Sequence, residues 1–413
     1  MYRSIIKNKT ILFYLIGGGV SRLGDILSGM AFLFIVYDLT GSEVMTTGMV
    51  IAGTLPYLLF GLVGGVLGDW LPKKRLLICI DTIRIPFLGL VIGLFYFELL
   101  SYLLLLVVSF LIQLLGCFFN PAHRAILPLI TTEEDRTTVN SINDSLTRGI
   151  TVLTPILSVL ILRSVGPIHF FTVDAISYAI SIFCISKLRF KEVQYEGKRT
   201  VKEIYKAIMH FMKWARAERT IRRLFLLTFF IVFFNTWVWQ VGILLALEEI
   251  STNGEELYSI FQGVFGFIII CANLMIPFFF KKMTLKTYLL GSTIWAIGII
   301  VIGTFYGILP LFLGAVIVGI GLPLAGLARV YLLQTLVPQD MLGRGFSFNA
   351  FLLYLANTLA LTIFGVLVSY FAINSLFIIS GVIMLFPALI FILLLLSKLV
   401  TVYTRRSPIK FFK

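Results

Sequence analysis

Hydrophobic runs of about 18–25 residues recur along the chain from Ile11 to Ser397. Each run is long enough to cross a hydrocarbon core of about 30 Å as a helix. Because 59% of the 413 residues are hydrophobic and only 13% are charged, the chain lacks the polar residues that cover a soluble domain of this size. The sequence therefore predicts an all-α protein that crosses a membrane many times. We expect the first run to be retained, because it is too long for a signal-peptide core and no cleavage pattern follows it.

Twelve transmembrane helices are predicted, and the distribution of charge orients them. Lysines and arginines concentrate at one end of the spans and acids at the other, which by the positive-inside rule places both termini in the cytoplasm of a bacterial-type cell. The net charge of +14 is therefore a topology signal, and we expect no nucleic-acid partner. The predicted spans are 11–37, 45–67, 76–97, 99–119, 138–163, 167–186, 224–247, 258–280, 287–305, 308–332, 346–370 and 373–398.

Residues 187–223 form the one long hydrophilic segment, with twelve lysines and arginines against four glutamates. Within it, apolar residues from Val201 to Ala215 recur at three- and four-residue spacing, which predicts an amphipathic helix lying on the inner leaflet. This segment divides the chain into an N-terminal bundle, residues 1–186, and a C-terminal bundle, residues 224–413, each of six helices.

The two halves are similar to each other. The stretch "LPLITTEEDRTTVNSIND" after span four aligns with "QTLVPQDMLGRGFSFNAF" after span ten at an offset of 206 residues, which places Asn143 over Asn349. Six-helix repeats joined by a basic central loop are typical of secondary transporters whose binding site lies between the halves. The pattern predicts two pseudo-symmetric bundles around a site near the middle of the membrane.

The stretch "GVLGDWLPKKRLL" between spans two and three carries a glycine, an acid and a basic cluster at a membrane edge. It resembles the loop motif of the major facilitator superfamily, with Trp70 where a base is usual and Pro72 where a glycine is usual. Seven further motifs narrow the resemblance to the macrolide-efflux-like branch of the drug:proton antiporters. They are "SRLGD" at 21–25, "DLTGS" at 38–42, "DTIR" at 81–84, "FFNPAHRAILP" at 118–128, Asn140-Ser141, "VDAISYAIS" at 173–181 and "GRGFS" at 343–347.

The resemblance implies a major facilitator fold and export of a macrolide-like drug or a self-made antibiotic by proton antiport. It also implies that Asp69 caps the N-terminus of span eleven when the cavity opens outward. Lys73, Lys74 and Arg75 would then grip lipid phosphates and the neighbouring half. The plainer alternative is that these bases obey topology alone and that Asp69 is a solvated turn acid.

Ionisable residues inside a span are costly, so they are functional candidates. Every embedded acid lies in the N-terminal half. Two acid–arginine pairs one helical turn apart act either as structural pairs or in gating, and we expect a structural hydrogen bond for Asp174. The gating candidates are Gly65, Asp69, Lys73, Lys74, Arg75, Asp81, Arg84, Asp144, Arg148 and Arg344.

Asp25 differs from the other embedded acids in its depth. It lies about fifteen residues into the first span, which at 1.5 Å per residue is close to the midplane. In this superfamily the first span lines the cavity, which makes Asp25 the candidate for proton coupling with Arg22 one turn below. The alternative is a fixed Asp25–Arg22 pair.

Polar groups among aromatic walls suit an amphiphilic substrate, which needs apolar area and a few orienting hydrogen bonds. Seven residues meet this description in spans four, seven, ten and eleven. These substrate-binding candidates are Gln113, Asn120, Asn235, Trp239, Gln240, Arg329 and Asn349.

No enzyme, metal or nucleotide-binding signature is present in the sequence. We therefore expect a monomeric non-enzyme that needs no cofactor, is driven by a proton gradient, and has membrane lipids and a small amphiphile as partners. The embedded Thr154-Pro155 stands where antiporters carry glycine-proline, so a siderophore or lipid exporter, or a facilitator without proton coupling, remains an alternative. A further alternative is a non-transporting membrane receptor or assembly subunit.

Overall fold

The computed structural model describes residues 2–192, 197 and 199–388. Eleven helices within these ranges have the length and apolar character needed to cross a membrane, and a shorter apolar helix covers Ile373–Ala388. The predicted all-helical membrane architecture is confirmed. The end of the predicted twelfth span and the basic C-terminal tail lie outside the described residues.

The helices are numbered in chain order. They are α1 Tyr2–Lys7, α2 Lys9–Thr40, α3 Glu43–Trp70, α4 Lys73–Tyr96, α5 Tyr102–Ile130, α6 Glu133–Ser164, α7 His169–Ser186, α8 Val201–Ala217, α9 Arg219–Thr236, α10 Ile243–Ile250, α11 Gly254–Phe279, α12 Leu285–Thr304, α13 Ile308–Leu336, α14 Leu342–Leu367 and α15 Ile373–Ala388.

Several helices extend beyond the predicted spans at the end that carries the bases. The largest difference is in α5, which continues through Pro121 to Ile130 instead of ending at residue 119. Helix α6 begins at Glu133, five residues before the predicted 138, because the Thr132 hydroxyl accepts the Asp135 N–H as an N-cap. Helix α9 likewise begins before residue 224, since the Glu218 side chain caps it.

The seventh span is interrupted by a π-helical turn. Residues Trp237–Gly242 form this turn between α9 and α10, and together the three pieces make one apolar segment from Arg219 to Ile250. Such turns place an extra residue in the helix and re-aim the side chains around it. Trp239 is thereby turned onto α11, where its ring centroid lies 4.3 Å from that of Phe265.

The linker helix α8 packs against the C-terminal bundle along part of its length. Phe211 and Ala215 are buried, and the Phe211 ring contacts Phe225 and Phe348. Val201, at the start of the predicted apolar face, is 84% exposed. The apolar face therefore serves protein packing at its C-terminal end.

Two sets of helices form separate cores. Helices α2–α7 enclose the buried clusters between Ile5 and Leu188, and α9–α15 enclose a cluster that runs to Met384. The end of the molecule where α3 ends and α14 begins is called the basic end, because Lys73–Arg75 and the linker helix lie there. The opposite end is called the acidic end. Every described hydrogen bond and ion pair between the two bundles lies in the half of the molecule toward the basic end.

Close approach of α2 to α7 within the N-terminal bundle depends on Gly24. A Cβ placed there would overlap Asp174 Oδ1 and Ser177 Oγ. Gly29, on the same helix, has no heavy atom within 4 Å of its Cβ position in the described structure. The two glycines therefore differ in what surrounds them, although both lie inside one transmembrane helix.

We expect Gly24→Ala to destabilise the protein by about 1–3 kcal/mol, the usual cost of overpacking a close contact. Gly29→Ala is the matched control and should leave stability equal or higher, because alanine favours the helix by about 0.5–1 kcal/mol. The apparent melting temperature of the purified protein in detergent measures both. Equal melting temperatures for the two variants would contradict the required contact at Gly24.

Candidate functional site

The strongest polar contact between the bundles joins the end of α3 to the start of α14. The Asp69 carboxylate is fully buried and accepts hydrogen bonds from the backbone N–H groups of Gly343 and Arg344, the latter at 3.1 Å. The Arg344 Nε also donates to it at 2.9 Å. Asp69 therefore caps α14, where unpaired N–H groups and the helix dipole both favour a negative charge.

Gly65, one turn before Asp69 on α3, allows α3 and α14 to approach each other closely. A Cβ at Gly65 would lie 2.7 Å from the Cβ of Ser347 and 2.8 Å from the Cα of Arg344. Arg344 is held further by the linker helix, since its Nη1 donates to the Ala207 carbonyl at 3.3 Å. Residues from both bundles and from the linker thus meet at one point.

The family resemblance implied that the three bases after Pro72 contact lipid phosphates and the other bundle. In the structure they do not all face the other bundle. They begin α4, and the Lys74 ammonium donates to the carbonyls of Ser186 and Leu188 at the end of α7, which belongs to its own bundle. This contact satisfies carbonyl groups that a helix end leaves unpaired. Lys73 is buried and Arg75 is exposed.

A second set of contacts between bundles connects α6 to α11 and α13. Asn140 and Gln334 form a reciprocal amide pair, with Nδ2 to Oε1 at 2.7 Å. Deeper along α6, the Asp144 carboxylate accepts from Arg148 Nε at 2.8 Å and from Asn273 Nδ2 at 2.7 Å. The Asp144–Arg148 pair therefore bridges the two bundles.

Asp25 makes a different contact from the predicted pair with Arg22. Its Oδ1 accepts a hydrogen bond from the Tyr178 hydroxyl on α7 at 2.8 Å. Arg22 is exposed, and within the described residues it forms no ion pair with Asp25. The register between α2 and α7 makes Tyr178 the partner of Asp25, because it brings Tyr178 onto the face of α2 that carries Asp25.

Tyr178 connects Asp25 to a buried ion pair. The Arg84 guanidinium lies over the Tyr178 ring at 5.1 Å and pairs with Asp81 at 3.4 Å. Asp81 also accepts from the Ser181 hydroxyl at 2.8 Å. Both charged residues lie in the interior of the N-terminal bundle, so the structure places them away from the contacts between bundles.

Asp174 is fully buried beside this pair and makes the structural hydrogen bonds that the sequence predicts. Its two oxygens accept from the hydroxyls of Ser28 and Ser177, the latter at 3.1 Å. We call Asp25, Asp81, Asp174 and Arg84 the acid network. It holds three carboxyl groups and one guanidinium.

A cavity of about 250 Å³ lies between the bundles, next to the Asn140–Gln334 pair. Its charged lining comes from α5, α6 and α13 and comprises Arg124, Asp144, Arg148 and Arg329. Three amide side chains, those of Asn140, Asn143 and Gln334, also line it, and apolar and aromatic residues, including Trp295 and Leu322, form the rest of the wall. This combination suits a ligand with an apolar body and a polar group.

Of the seven substrate-binding candidates, only Arg329 lines this cavity. Asn235 accepts a hydrogen bond from Trp295 Nε1 at 3.0 Å, so it positions a wall residue. Asn120 donates to the Tyr57 hydroxyl at 3.0 Å. Asn349 is buried, Gln113 is partly buried, Gln240 is exposed, and Trp239 packs on Phe265.

The sequence prediction missed Arg124, because it ended span four at residue 119. Helix α5 continues to Ile130, which brings Arg124 inside the bundle interface. The signal was present in the apolar run after Pro121, which continues to Leu129 and Ile130.

Comparison with known proteins gives consistent results. A family model described as transmembrane secretion effector matches residues 6–407. Macrolide efflux protein A of Streptococcus pyogenes is 25% identical over 398 residues, which cover 93% of this chain and 96% of that protein.

Two solved structures share the fold at low sequence identity. A bacterial homologue of the iron transporter ferroportin in an outward-facing state has a TM-score of 0.70 at 16% identity, over 94% of this chain and 98% of the other. The transporter FucP in its outward conformation has a TM-score of 0.71 at 15% identity, over 91% and 95% of the two chains. Because the family model matches nearly the whole of this chain, the chain belongs to the major facilitator superfamily, in the macrolide-efflux-like branch.

Proposed function

We propose that this transporter exports a hydrophobic or amphiphilic small molecule from a bacterial cell in exchange for protons. The names of its relatives support export, since they are macrolide efflux proteins. An amphiphilic substrate is supported by the cavity between the bundles, whose wall combines apolar and aromatic side chains with four charged and three amide groups.

The observation that carries proton exchange is the position of Asp25. It is the one partly exposed carboxyl group of the acid network, while Asp81 and Asp174 are fully buried. Its hydrogen bond to Tyr178 links it to Arg84 and so to the buried acids. A proton that binds at Asp25 therefore changes the balance between three carboxyl groups and one guanidinium in a dry environment, where charge interactions are strong.

The transport cycle is proposed to be alternating access. The positive-inside rule places the basic end in the cytoplasm. In this orientation the contacts around Asp69 and the Asn140–Gln334 pair close the cavity toward the cytoplasm. The proposed cycle takes up protons from the outside in this state. Opening inward requires α14 to leave Asp69, so the charge of Asp69 sets the population of the two states.

The coupling test uses purified protein in liposomes with an imposed pH gradient and a radiolabelled amphiphile, either a macrolide or an apolar carboxylate. Asp25→Asn should abolish uphill accumulation, because the amide binds no proton, while downhill exchange continues. Asp25→Glu should keep part of the uphill transport with a shifted pH optimum. The matched control is Asp38→Asn, an exposed acid at the other end of the same helix, which should transport like the wild type.

Each contrary outcome has a defined meaning. Uphill transport at the normal rate by Asp25→Asn would exclude Asp25 as the coupling residue. Wild-type transport that never exceeds equilibrium would indicate a facilitator. No transport by the wild type of a macrolide or other amphiphiles would favour a receptor or assembly subunit.

The gate test concerns Asp69. Asp69→Asn keeps the shape of the side chain but removes the charge that faces Arg344 and the start of α14. We expect it to shift the equilibrium toward the inward-open state by about 1.5–3 kcal/mol, the usual value of hydrogen bonds to a charged group. A cysteine placed by Asn143→Cys, in a background without the four native cysteines, reports access to the cavity.

Labelling by a membrane-impermeant maleimide should increase from the cytoplasmic side and decrease from the outside in Asp69→Asn. Glu134→Gln is the control, because Glu134 is exposed at the same end and its substitution should leave labelling unchanged. Unchanged labelling on both sides in Asp69→Asn would make Asp69 a structural cap without influence on gating.

A further inference from the structure

The cavity between the bundles has an excess of positive charge. Its lining contains Arg124, Arg148 and Arg329 and a single acid, Asp144, which gives a formal charge of +2. Asp144 is already engaged by Arg148 and by Asn273. No other carboxyl group lines this cavity among the residues that the structure describes.

Arg124 and Arg329 have no hydrogen-bond or ion-pair partner within residues 2–192, 197 and 199–388. The Nε of Arg329 is buried and unpaired. Arg329 is partly buried and Arg124 is exposed. Partial withdrawal of a guanidinium from water is unfavourable when no opposite charge offsets its desolvation. An excess of arginines on the wall of one cavity, with the Nε of Arg329 buried and unpaired, indicates a site that accepts an anionic ligand.

The two arginines come from opposite halves of the chain. Arg124 lies on α5 and Arg329 on α13, each toward the C-terminal end of its helix. Both line the same cavity, so an anion held by both side chains would touch both bundles.

We propose that this cavity binds an organic anion, with a carboxylate, phosphate or sulfate group between Arg124 and Arg329 and an apolar body against Trp295 and Leu322. Guanidinium groups match the geometry of such oxyanions with paired N–H donors. If the cavity is the transport site, as the proposed function holds, this anion is the class of molecule that the protein transports. In this way the proposal rests on the proposed function. The oxyanion comes either from a small solute or from a lipid headgroup.

Binding to the protein in phosphatidylcholine nanodiscs tests the proposal with three probes that share one apolar cage. These are 1-adamantanecarboxylate, 1-adamantylammonium and 1-adamantanemethanol, measured by isothermal titration calorimetry without any gradient. We expect the carboxylate to bind at least about tenfold more tightly than the other two probes. A charge-assisted hydrogen bond of about 1.5–3 kcal/mol corresponds to a factor of about ten or more.

Substitution of either arginine should weaken only the anion. Arg124→Gln and Arg329→Gln should each raise the Kd of the carboxylate about tenfold or more and leave the alcohol unchanged, while Arg329→Lys should restore part of the affinity. Arg163→Gln, an exposed arginine outside the cavity, is the control and should bind like the wild type. Melting temperatures verify that the variants are folded.

Phosphatidylglycerol added to the nanodiscs identifies the source of the oxyanion. If the added lipid weakens carboxylate binding in the wild type but not in the arginine variants, the site binds lipid phosphate. If carboxylate binding by the wild type is unchanged, the site binds a soluble anion. Absent carboxylate binding, equal affinity for the three probes, or no effect of either glutamine variant would overturn the proposal. Because no gradient is applied, failure here leaves the Asp25 coupling test untouched, and failure of that test leaves this binding intact.

Discussion

Inside a bilayer the hydrocarbon offers no hydrogen bonds, so backbone amides and buried charges must find their partners within the protein. Long helices satisfy the backbone. Among the described residues, most charged side chains that lie inside gather at three places: the contact of Asp69 with α14, the acid network of the N-terminal bundle, and the cavity between the bundles. These three places are the candidates for ligand binding and gating, whereas the apolar remainder of the helices serves packing.

The contact at Asp69 combines stability with reversibility. Its carboxylate receives three N–H donors, two of them from the backbone at the start of α14. Removing one partner from such a buried contact is costly, because it leaves a charge or a donor unpaired. In a transporter, however, both bundles separate as units at this end, so water can reach Asp69 and Arg344 together. Hydrogen bonds to water then replace the hydrogen bonds between Asp69 and α14. This exchange keeps the free-energy difference between the closed and the open arrangement to a few kcal/mol.

The sequence predicts the spans well, because bilayer thickness dictates how long an apolar helix must be. Helix ends are less predictable, as α5 shows by continuing through Pro121 to include Arg124. The partner of Asp69 was implied by a family resemblance, and the structure contains that contact. The partner of Asp25 was not predictable, because it depends on the register of α2 against α7 at Gly24, which no local pattern in either helix encodes.

The acid network and the cavity carry opposite charges. The network lies inside the N-terminal bundle, and the cavity lies between the two bundles. With every group ionised, the network has a formal charge of −2 and the cavity of +2. Tyr57 of the N-terminal bundle also contacts the other bundle, since its ring stacks on Tyr354 at 5.1 Å while its hydroxyl accepts from Asn120. Coupling between two sites requires that each ligand favour one arrangement of the bundles.

In the proposed exchange, a proton at Asp25 would reduce the negative charge of the acid network, and an anion between Arg124 and Arg329 would reduce the positive charge of the cavity wall. Each ligand would then weaken the electrostatic attraction between these two regions. Because each would neutralise one partner of that attraction, the effect of the second would be smaller than that of the first. Such non-additive behaviour is what an exchanger needs, since it moves its bundles with one ligand or the other bound in turn.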